Sequence, residues 1–177
     1  MKRMNSLAIA TLAVLTLVLS GCASSANSGP VDADAAAQTT TTQSECTGVW
    51  AQVDFKAESN ASCVEADGPI TALQAFQSAN FALEPVSTSD QFFACRIDGL
   101  PAAGETLEYN GETYTPDCSD FGPMWAYWGL YVDAGNGWEY ALEGAGTQLM
   151  QPGQAVAFVW QFGDTEAEPT LPHASTD

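Results

Sequence analysis

The side chains best suited to binding chemistry in this sequence are tyrosines and glutamates that recur along one aromatic-rich stretch. Aromatic rings stack on flat groups and attract cations, and carboxylates orient a cationic ligand. Gly129 stands between Tyr127 and Tyr131 and would leave a shallow slot between their rings. We therefore predict a ligand-binding site made of Tyr127, Gly129, Tyr131, Glu139 and Glu143. The alternative is that the helix or a loop covers this face, with the tyrosine hydroxyls bonded inside the domain.

Residues that catalyse reactions are scarce in this chain. The single histidine, His173, lies in a C-terminal tail, and no serine has a visible base beside it. Glu139 and Glu143 could act as a glycosidase pair, but four strand residues would separate their Cα atoms by roughly 13 Å. Glycosidase carboxyl groups lie about 5 to 9.5 Å apart. We expect a protein that is not an enzyme and that has no catalytic residue, metal or cofactor.

The stretch that positions the candidate site, Met124–Leu142, has the pattern of one β-hairpin around Asp133–Gly137. A five-residue loop gives one apolar face and one solvent-exposed face. A loop one residue shorter would mix acidic and apolar residues on both faces, so we favour the longer loop. The predicted apolar pairs are Val132 with Trp138, Leu130 with Tyr140 and Trp128 with Leu142. The predicted solvent-facing pairs are Tyr127 with Glu143, Gly129 with Ala141 and Tyr131 with Glu139.

The N-terminus has the pattern of an export signal. Basic and polar residues precede Leu7–Leu19, an apolar run too short to span a bilayer comfortably. The sequence Leu19-Ser20-Gly21-Cys22 then resembles the lipobox of bacterial lipoproteins at every position. The resemblance implies that residues 1–21 are a signal peptide and that the thiol of Cys22 is diacylated. An ordinary signal followed by a chance cysteine is the alternative, but it leaves an unpaired thiol on an exported protein.

Anchoring and charge together indicate a location and exclude some partners. The predicted location is the cell membrane, lipid-anchored on its extracytoplasmic face, with the membrane as a partner through the lipid. After signal cleavage the basic residues Lys56 and Arg96 stand against 22 acidic residues. This balance opposes binding to nucleic acid and to anionic headgroups, because both need clustered Lys and Arg. It favours solubility, or attraction for cationic ligands.

The cysteines other than Cys22 form an even set in an oxidising location, which predicts two disulfides. Three pairings are possible. We favour Cys46 with Cys63 and Cys95 with Cys118, because each closes a short segment beside a predicted strand. Each loop would contribute about 3 kcal/mol by the chain-entropy estimate. Zinc binding is the alternative, but the chain has no Cys-x-x-Cys motif.

Composition separates a folded domain from its flanks. Residues 22–45 contain mainly Ala, Ser, Thr, Gln and Asp without any aromatic side chain, which predicts the lipidated cysteine followed by a flexible linker. The domain is predicted over 46–163. The Pro- and Glu-rich residues 164–177 are predicted to be a disordered tail.

Periodicity within the domain predicts several strands and a single helix. The predicted strands outside the central hairpin are Gly48–Phe55, Gln91–Ile97 and Ala155–Phe162. Asp67 as cap and Pro69 in the first turn predict a helix over Pro69–Asn80. Asn110-Gly111 predicts a second hairpin within Leu107–Thr115. Together these elements indicate an α+β domain with a mixed, mostly antiparallel sheet.

Several short pieces of the domain occur in a characteristic order. They are Ala72–Ala75 leading to Phe81, Cys95–Pro101, Tyr127–Val132 and Leu149–Val156. Together they resemble bacterial surface domains that are similar to the C-terminal domain of transcobalamin. The resemblance covers about Val49 to Phe162 and implies a single β-grasp-like domain and a ligand-binding module. Transcobalamin holds its ligand against a large helical domain that this sequence has no segment to form, so cobalamin binding is not carried over.

These observations favour a lipid-anchored cell-surface binding protein that presents or captures a small-molecule ligand. The alternative is a structural or adhesion-type accessory lipoprotein whose sheet edge or aromatic face docks a protein partner at the cell envelope. The scarcity of catalytic side chains favours both over an enzyme.

Overall fold

A computed structural model of the protein describes residues 46–170, which belong to one compact unit. The predicted signal peptide at 1–21, Cys22 with the linker at 22–45, and the last tail residues, 171–177, lie outside the described residues. The predictions about them therefore stay predictions. No helix within residues 46–170 is long and apolar enough to cross a membrane.

The described residues form a sheet-rich α+β domain, which confirms the α+β part of the predicted fold class. The strands in chain order are β1 (Val49–Phe55), β2 (Glu58–Val64), β3 (Ile70–Thr71), β4 (Leu83–Pro85), β5 (Ala94–Ile97), β6 (Leu107–Tyr109), β7 (Glu112–Tyr114), β8 (Ala126–Asp133), β9 (Trp138–Tyr140), β10 (Leu149–Met150) and β11 (Ala155–Phe162). One helix, α1 (Ala72–Ser78), occurs within residues 46–170. The main sheet has five strands in the order β2-β1-β11-β8-β9, and the pairs β3–β10, β4–β5 and β6–β7 form small sheets.

The two central strands, β1 and β11, give the main sheet its mixed character. They run parallel, with Ala51 opposite Val156 and Val53 opposite Phe158, whereas the other neighbours run antiparallel. Every residue of β1 is buried, as expected for a strand whose two faces are both covered. On one face the helix places Phe76 against Phe158, with ring centroids 4.6 Å apart.

The helix begins three residues later than the sequence pattern predicts. Ile70 and Thr71 form β3 and pair with β10, which leaves Pro69 outside the helix. The Thr71 hydroxyl accepts a hydrogen bond from the Gln74 N–H (3.1 Å), and the Gln74 side-chain oxygen accepts one from the Thr71 N–H (2.8 Å). This reciprocal capping box satisfies the first donors of the helix. Thr71 therefore replaces Asp67, the predicted cap.

The central hairpin has a shorter loop than predicted, so the predicted pairs are wrong by one residue. The observed pairs are Asp133 with Trp138, Val132 with Glu139 and Tyr131 with Tyr140. The cause is the Asp133 carboxylate, whose Oδ1 accepts hydrogen bonds from the N–H groups of Gly135 (2.7 Å) and Gly137 (3.1 Å). This side-chain turn makes Asp133 the last strand residue and leaves 134–137 as the loop. Faces along β8 alternate as predicted, but each β9 side chain lies on the face opposite to its predicted one.

The sheet face that the sequence predicted to be solvent-exposed is covered. It carries a buried cluster of Tyr131, Ala157 and Val159. The covering chain is 164–170, in which Ala167 exchanges two hydrogen bonds with Gln161, of 2.8 and 2.9 Å. Further along, the Thr170 N–H donates to the Asp54 carboxylate at 2.7 Å. The first part of the segment predicted to be a disordered tail therefore lies across the sheet.

The remaining strands differ in whether the sequence pattern predicts them. The strand β2 is not predicted by the sequence pattern, because this edge strand begins Glu58-Ser59-Asn60 and lacks apolar alternation. The strand β4 is not predicted either, and the predicted strand Gln91–Ile97 is shortened to β5, which pairs with β4. The hairpin predicted at Asn110-Gly111 is confirmed. Both residues have the positive φ that this two-residue turn requires, 49° and 82°.

Both disulfides are confirmed with the predicted pairing. Cys46 is bonded to Cys63, which ties the start of the described chain to the edge strand β2. Cys95 is bonded to Cys118, which ties β5 to the segment before β8. The second bond is the one that bears on the candidate site.

Candidate functional site

The structure brings three of the five predicted site residues together but closes the slot between them. Tyr127, Gly129 and Tyr131 alternate along β8 on one face. A Cβ on Gly129 would meet the rings of Tyr131 and Tyr140 and the Gln161 amide nitrogen at 3.2 Å each. Tyr131 is only 3% exposed, so a ligand cannot stack on its ring from solvent. The small residue at position 129 therefore makes room for neighbouring side chains.

The two predicted glutamates lie away from the tyrosines. Glu139 faces Val132, so it lies on the sheet face opposite to Tyr131. Glu143 is exposed and lies beyond the end of β9. The carboxylate that reaches a tyrosine is Glu166, whose Oε1 accepts a 2.7 Å hydrogen bond from the Tyr131 hydroxyl. The one-residue change of register moves Glu139 to the other sheet face, and the folded segment 164–170 brings Glu166 to Tyr131 in its place.

The contact between Tyr131 and Glu166 keeps the tyrosine protonated. Burial is the largest cause that raises the pKa of Tyr131 well above its ordinary value, and the hydrogen bond to Glu166 raises it further. Burial disfavours the phenolate by removing it from water, and Glu166 disfavours it because a second negative charge would stand beside the carboxylate. Tyr131 therefore remains a neutral hydrogen-bond donor at physiological pH, and we interpret the contact as structural.

A separate cavity of about 580 Å³ opens at the edge of the main sheet, beside β8. Its walls come from β5, the segment 116–124, β8 and the end of β9. Apolar and aromatic side chains form most of the lining, among them Phe93, Tyr114, Phe121, Met124, Trp128 and Trp160. The volume and the apolar lining are those of sites that hold small molecules.

A disulfide and a buried arginine hold one wall of the cavity in place. The bond between Cys95 and Cys118 joins β5 to the segment 116–124. Arg96 is buried and donates hydrogen bonds to the Pro116 carbonyl oxygen and to the Glu84 carboxylate, the latter at 2.8 Å. Because hydrogen bonds to charged groups are stronger than neutral ones, these contacts fix the start of the segment that leads to the mouth.

The mouth of the cavity exposes large apolar side chains. Met124 is 87% exposed and Phe121 is 55% exposed. Phe93, also exposed, packs edge to face against Phe121 with ring centroids 5.4 Å apart. Clustered apolar exposure of this kind marks ligand or interaction sites in soluble proteins. These side chains add little to the core and are accessible to a ligand or a protein partner.

Two tryptophans from neighbouring strands line the cavity on its buried side. Trp128 of β8 lies opposite Trp160 of β11, and their ring centroids are 5.4 Å apart. Both side chains are buried, and neither indole N–H has a hydrogen-bond partner among the described residues. Buried donors without partners are uncommon and costly. Both nitrogens are closed off from solvent, so these rings present apolar aromatic surface to the cavity.

One side of the cavity is polar. Tyr140 lies next to Tyr127, and burial, followed by the neighbouring Tyr127 hydroxyl, raises the pKa of Tyr140 to about 12. The Tyr140 hydroxyl is therefore neutral at physiological pH. Glu166 is the one charged side chain among the described residues that line the cavity. A ligand would meet neutral hydroxyls and a single negative charge on this side.

The residues that line the cavity offer non-covalent contacts to a ligand. Within residues 46–170 no group of three or more His, Cys, Asp or Glu side chains is placed to hold a metal ion. The cysteine in the lining, Cys95, is held in a disulfide, so it has no thiolate to act as a nucleophile. Stacking, apolar burial and hydrogen bonding are the interactions that this lining offers.

Sequence reasoning missed most of this cavity. Tyr127 is the one predicted site residue that also lines it. A usable signal was present in Phe121-Gly122-Pro123-Met124, where large apolar residues interrupt a loop that would otherwise be polar.

Comparison with known proteins gave no relatives. Scans against protein families, curated proteins and solved structures each found no match. The resemblance to transcobalamin-like surface domains therefore stays a prediction that rests on the sequence pieces quoted above.

Proposed function

We propose that this protein is a lipid-anchored binding protein on the extracytoplasmic face of the cell membrane, and that its domain captures a small ligand whose apolar part enters the cavity. The observation that carries the proposal is the aromatic cavity beside β8, about 580 Å³ in volume with an exposed apolar mouth. Binding sites for small molecules have this form: an apolar lining with a few polar groups that set orientation.

The driving force for binding would be the burial, by the ligand, of the apolar side chains around the mouth of the cavity. Burial of apolar surface contributes about 25 cal/mol per Å². Phe121 and Met124 offer such surface at no cost to the folded state, because both are exposed without a ligand. Tyr127 and Tyr140 would then orient the polar end of the ligand through their hydroxyls.

A β-grasp-like fold is part of the proposal. The support is the strand order β2-β1-β11-β8-β9. In it β1 and β11, the first and last strands along the chain, run parallel near the centre of the sheet. The helix α1, which contacts β1, packs on one face of that sheet. The same arrangement is implied by the resemblance to transcobalamin-like domains.

The anchor is proposed from the sequence. Cys22 ends a lipobox-like motif directly after an apolar signal, and residues 22–45 would act as a tether between lipid and domain. Fractionation of cells that carry Cys22→Ala tests this part. We expect an unprocessed precursor or release into the medium, whereas unchanged cleavage and acylation would contradict the anchor.

Titration with N-phenyl-1-naphthylamine, a neutral aromatic probe whose fluorescence rises in apolar surroundings, tests the cavity. The protein used is the oxidised chain from residue 23 onward, which contains the whole compact unit. We expect saturable binding that Phe121→Ala weakens about tenfold, equivalent to about 1.4 kcal/mol. Leu142→Ala is the matched control, since Leu142 is 99% exposed and lies outside the cavity lining. Equal probe affinity in Phe121→Ala and in the unmodified chain would contradict the proposed function.

A further inference from the structure

The edge of the main sheet is open where the cavity lies. β9 pairs with β8 only over Tyr131–Asp133. One residue beyond this pairing, the Leu130 carbonyl accepts a hydrogen bond from the Ala141 N–H at 2.8 Å. After Ala141 the chain that forms β9 no longer pairs with β8. Among the described residues no strand lies opposite Trp128 on this side.

The main chain of Trp128 faces the open edge. In an antiparallel sheet successive residues direct their N–H and C=O groups to alternate edges. The Trp125 carbonyl accepts from Gly163 on the β11 side, and the Leu130 carbonyl accepts from Ala141 on the β9 side. Even-numbered residues of β8 therefore face the β9 side, and Trp128 offers one N–H donor and one C=O acceptor there.

The unpaired stretch of the β8 edge at Trp128, here called the gap, is closed at both ends. Before it, the Ala126 N–H donates to the Pro123 carbonyl at 2.9 Å, and after it the Leu130 carbonyl is bonded to Ala141. A Cβ on Gly122 would lie 2.6 Å from the Ala126 carbonyl oxygen, so that segment already covers the strand at this end. The gap accepts about one residue pair, which suits a short free peptide and excludes a long strand that passes through.

The cavity includes side chains from both faces of the sheet at this edge. Trp128 and Trp160 lie on the face that carries the helix, whereas Tyr127 and Tyr140 lie on the other face, and all four line the cavity. An added strand would direct its own side chains alternately to these two faces. A residue paired with Trp128 would therefore point toward the tryptophans and the apolar mouth. Its two neighbours would point toward the tyrosines and Glu166.

The negative charge of the protein favours basic residues on either side of the ligand residue that pairs with Trp128. Glu166 is the charged side chain in the described lining, and the chain after the predicted signal holds 22 acidic residues against Lys56 and Arg96. A lysine beside the tyrosines would gain both the carboxylate and the aromatic faces. Acidic neighbours would be repelled.

We infer that the ligand is a short extended peptide with an apolar central residue and basic neighbours, which pairs with the main chain of Trp128 by adding a strand to β8. The inference rests on the proposed function, because it names the ligand class of the same cavity. Main-chain hydrogen bonds to an open sheet edge supply affinity in such complexes, and the alternating pockets supply specificity.

The decisive comparison uses two probes, Ac-Lys-Phe-Lys-NH2 and its analogue in which an ester oxygen replaces the phenylalanine N–H. Both compete with N-phenyl-1-naphthylamine for the chain from residue 23 onward. We expect the ester to bind about three- to tenfold more weakly, the loss that one hydrogen bond to Trp128 predicts. Displacement of the probe by both peptides with equal affinity would overturn the inference and leave the proposed function intact.

Charge preference is tested separately with Ac-Nle-Phe-Nle-NH2, where norleucine replaces each lysine. We expect this peptide to bind more weakly than the lysine peptide, and we expect Glu166→Gln to reduce that difference. Glu143→Gln is the matched control, since Glu143 is exposed and lies outside the cavity lining. Failure of every peptide to displace the probe would overturn the inference. If Phe121→Ala leaves probe binding unchanged, the proposed function and the inference fall together.

Discussion

Two aromatic regions adjoin β8, and they differ in what covers them. On the face of the sheet, Tyr131 lies beneath residues 164–170 and donates its hydroxyl to Glu166. At the edge, Phe121 and Met124 stay exposed around a cavity. Both regions are rich in aromatic residues and both include Glu166. The comparison teaches that aromatic density along the chain does not separate buried core from open surface; the presence or absence of a covering segment does.

The largest expected effect is on the covered face. Tyr131→Ala should lower the free energy of unfolding by about 3 to 5 kcal/mol, as large-to-small changes at buried aromatic positions do. Tyr131→Phe removes only the hydroxyl and should cost about 1 kcal/mol. Urea unfolding of both variants measures the difference. A cost below about 1 kcal/mol for the alanine variant would show that this face is not part of the core.

The two disulfides sharpen the comparison, since only one borders the cavity. Replacing Cys95 and Cys118 together by alanine should cost about 2 to 4 kcal/mol of stability and should also weaken binding of N-phenyl-1-naphthylamine. Replacing Cys46 and Cys63 together should cost a similar amount and leave the probe affinity unchanged. The readouts are urea unfolding and probe titration. Equal loss of probe affinity in both double variants would show that the effect is global.

Alkaline pH distinguishes the two regions by their tyrosines. The pKa values of Tyr131 and Tyr140 are raised from 10.0, that of Tyr140 to about 12. The folded state thus holds these phenolic protons more tightly than the unfolded chain does. Their contribution to stability is complete below pH 10 and falls as the pH rises above it; that of Tyr140 is lost as the pH rises through about 12, whereas that of Tyr131 is still falling there. In urea unfolding from pH 9 to 12 we expect Tyr131→Phe to lose stability less steeply than the unmodified chain. Parallel slopes would contradict this assignment.

The sequence predicted those parts of the fold that depend on local pattern. The strands β1 and β11 follow from apolar alternation, the second hairpin from Asn110-Gly111, and the disulfides from loop closure beside predicted strands. The predictions of the helix start and of the central hairpin register were wrong, because hydrogen bonds from single side chains determine both features. Thr71 caps the helix and Asp133 shortens the loop, and apolar periodicity does not report either contact.

Local sequence patterns do not predict those parts of the candidate site that depend on contacts distant in sequence. Glu166 reaches Tyr131 only because residues 164–170 return across the sheet, and their composition resembles that of a disordered tail. The cavity wall at Pro116 depends on Arg96, which lies 20 residues earlier. Patterns within a window of ten residues carry no information on either contact.

The smallest effect on stability is expected at the most exposed lining residue, Met124. Its side chain is 87% exposed, so Met124→Ala should change the free energy of unfolding by less than about 0.5 kcal/mol. The same change should still weaken probe binding, because a bound ligand would cover this side chain. Leu149→Ala is the control, an exposed apolar residue outside the lining. Paired urea unfolding and probe titration measure both effects. A variant that loses stability without losing affinity would place Met124 in the core and reverse the contrast between the covered face and the open edge.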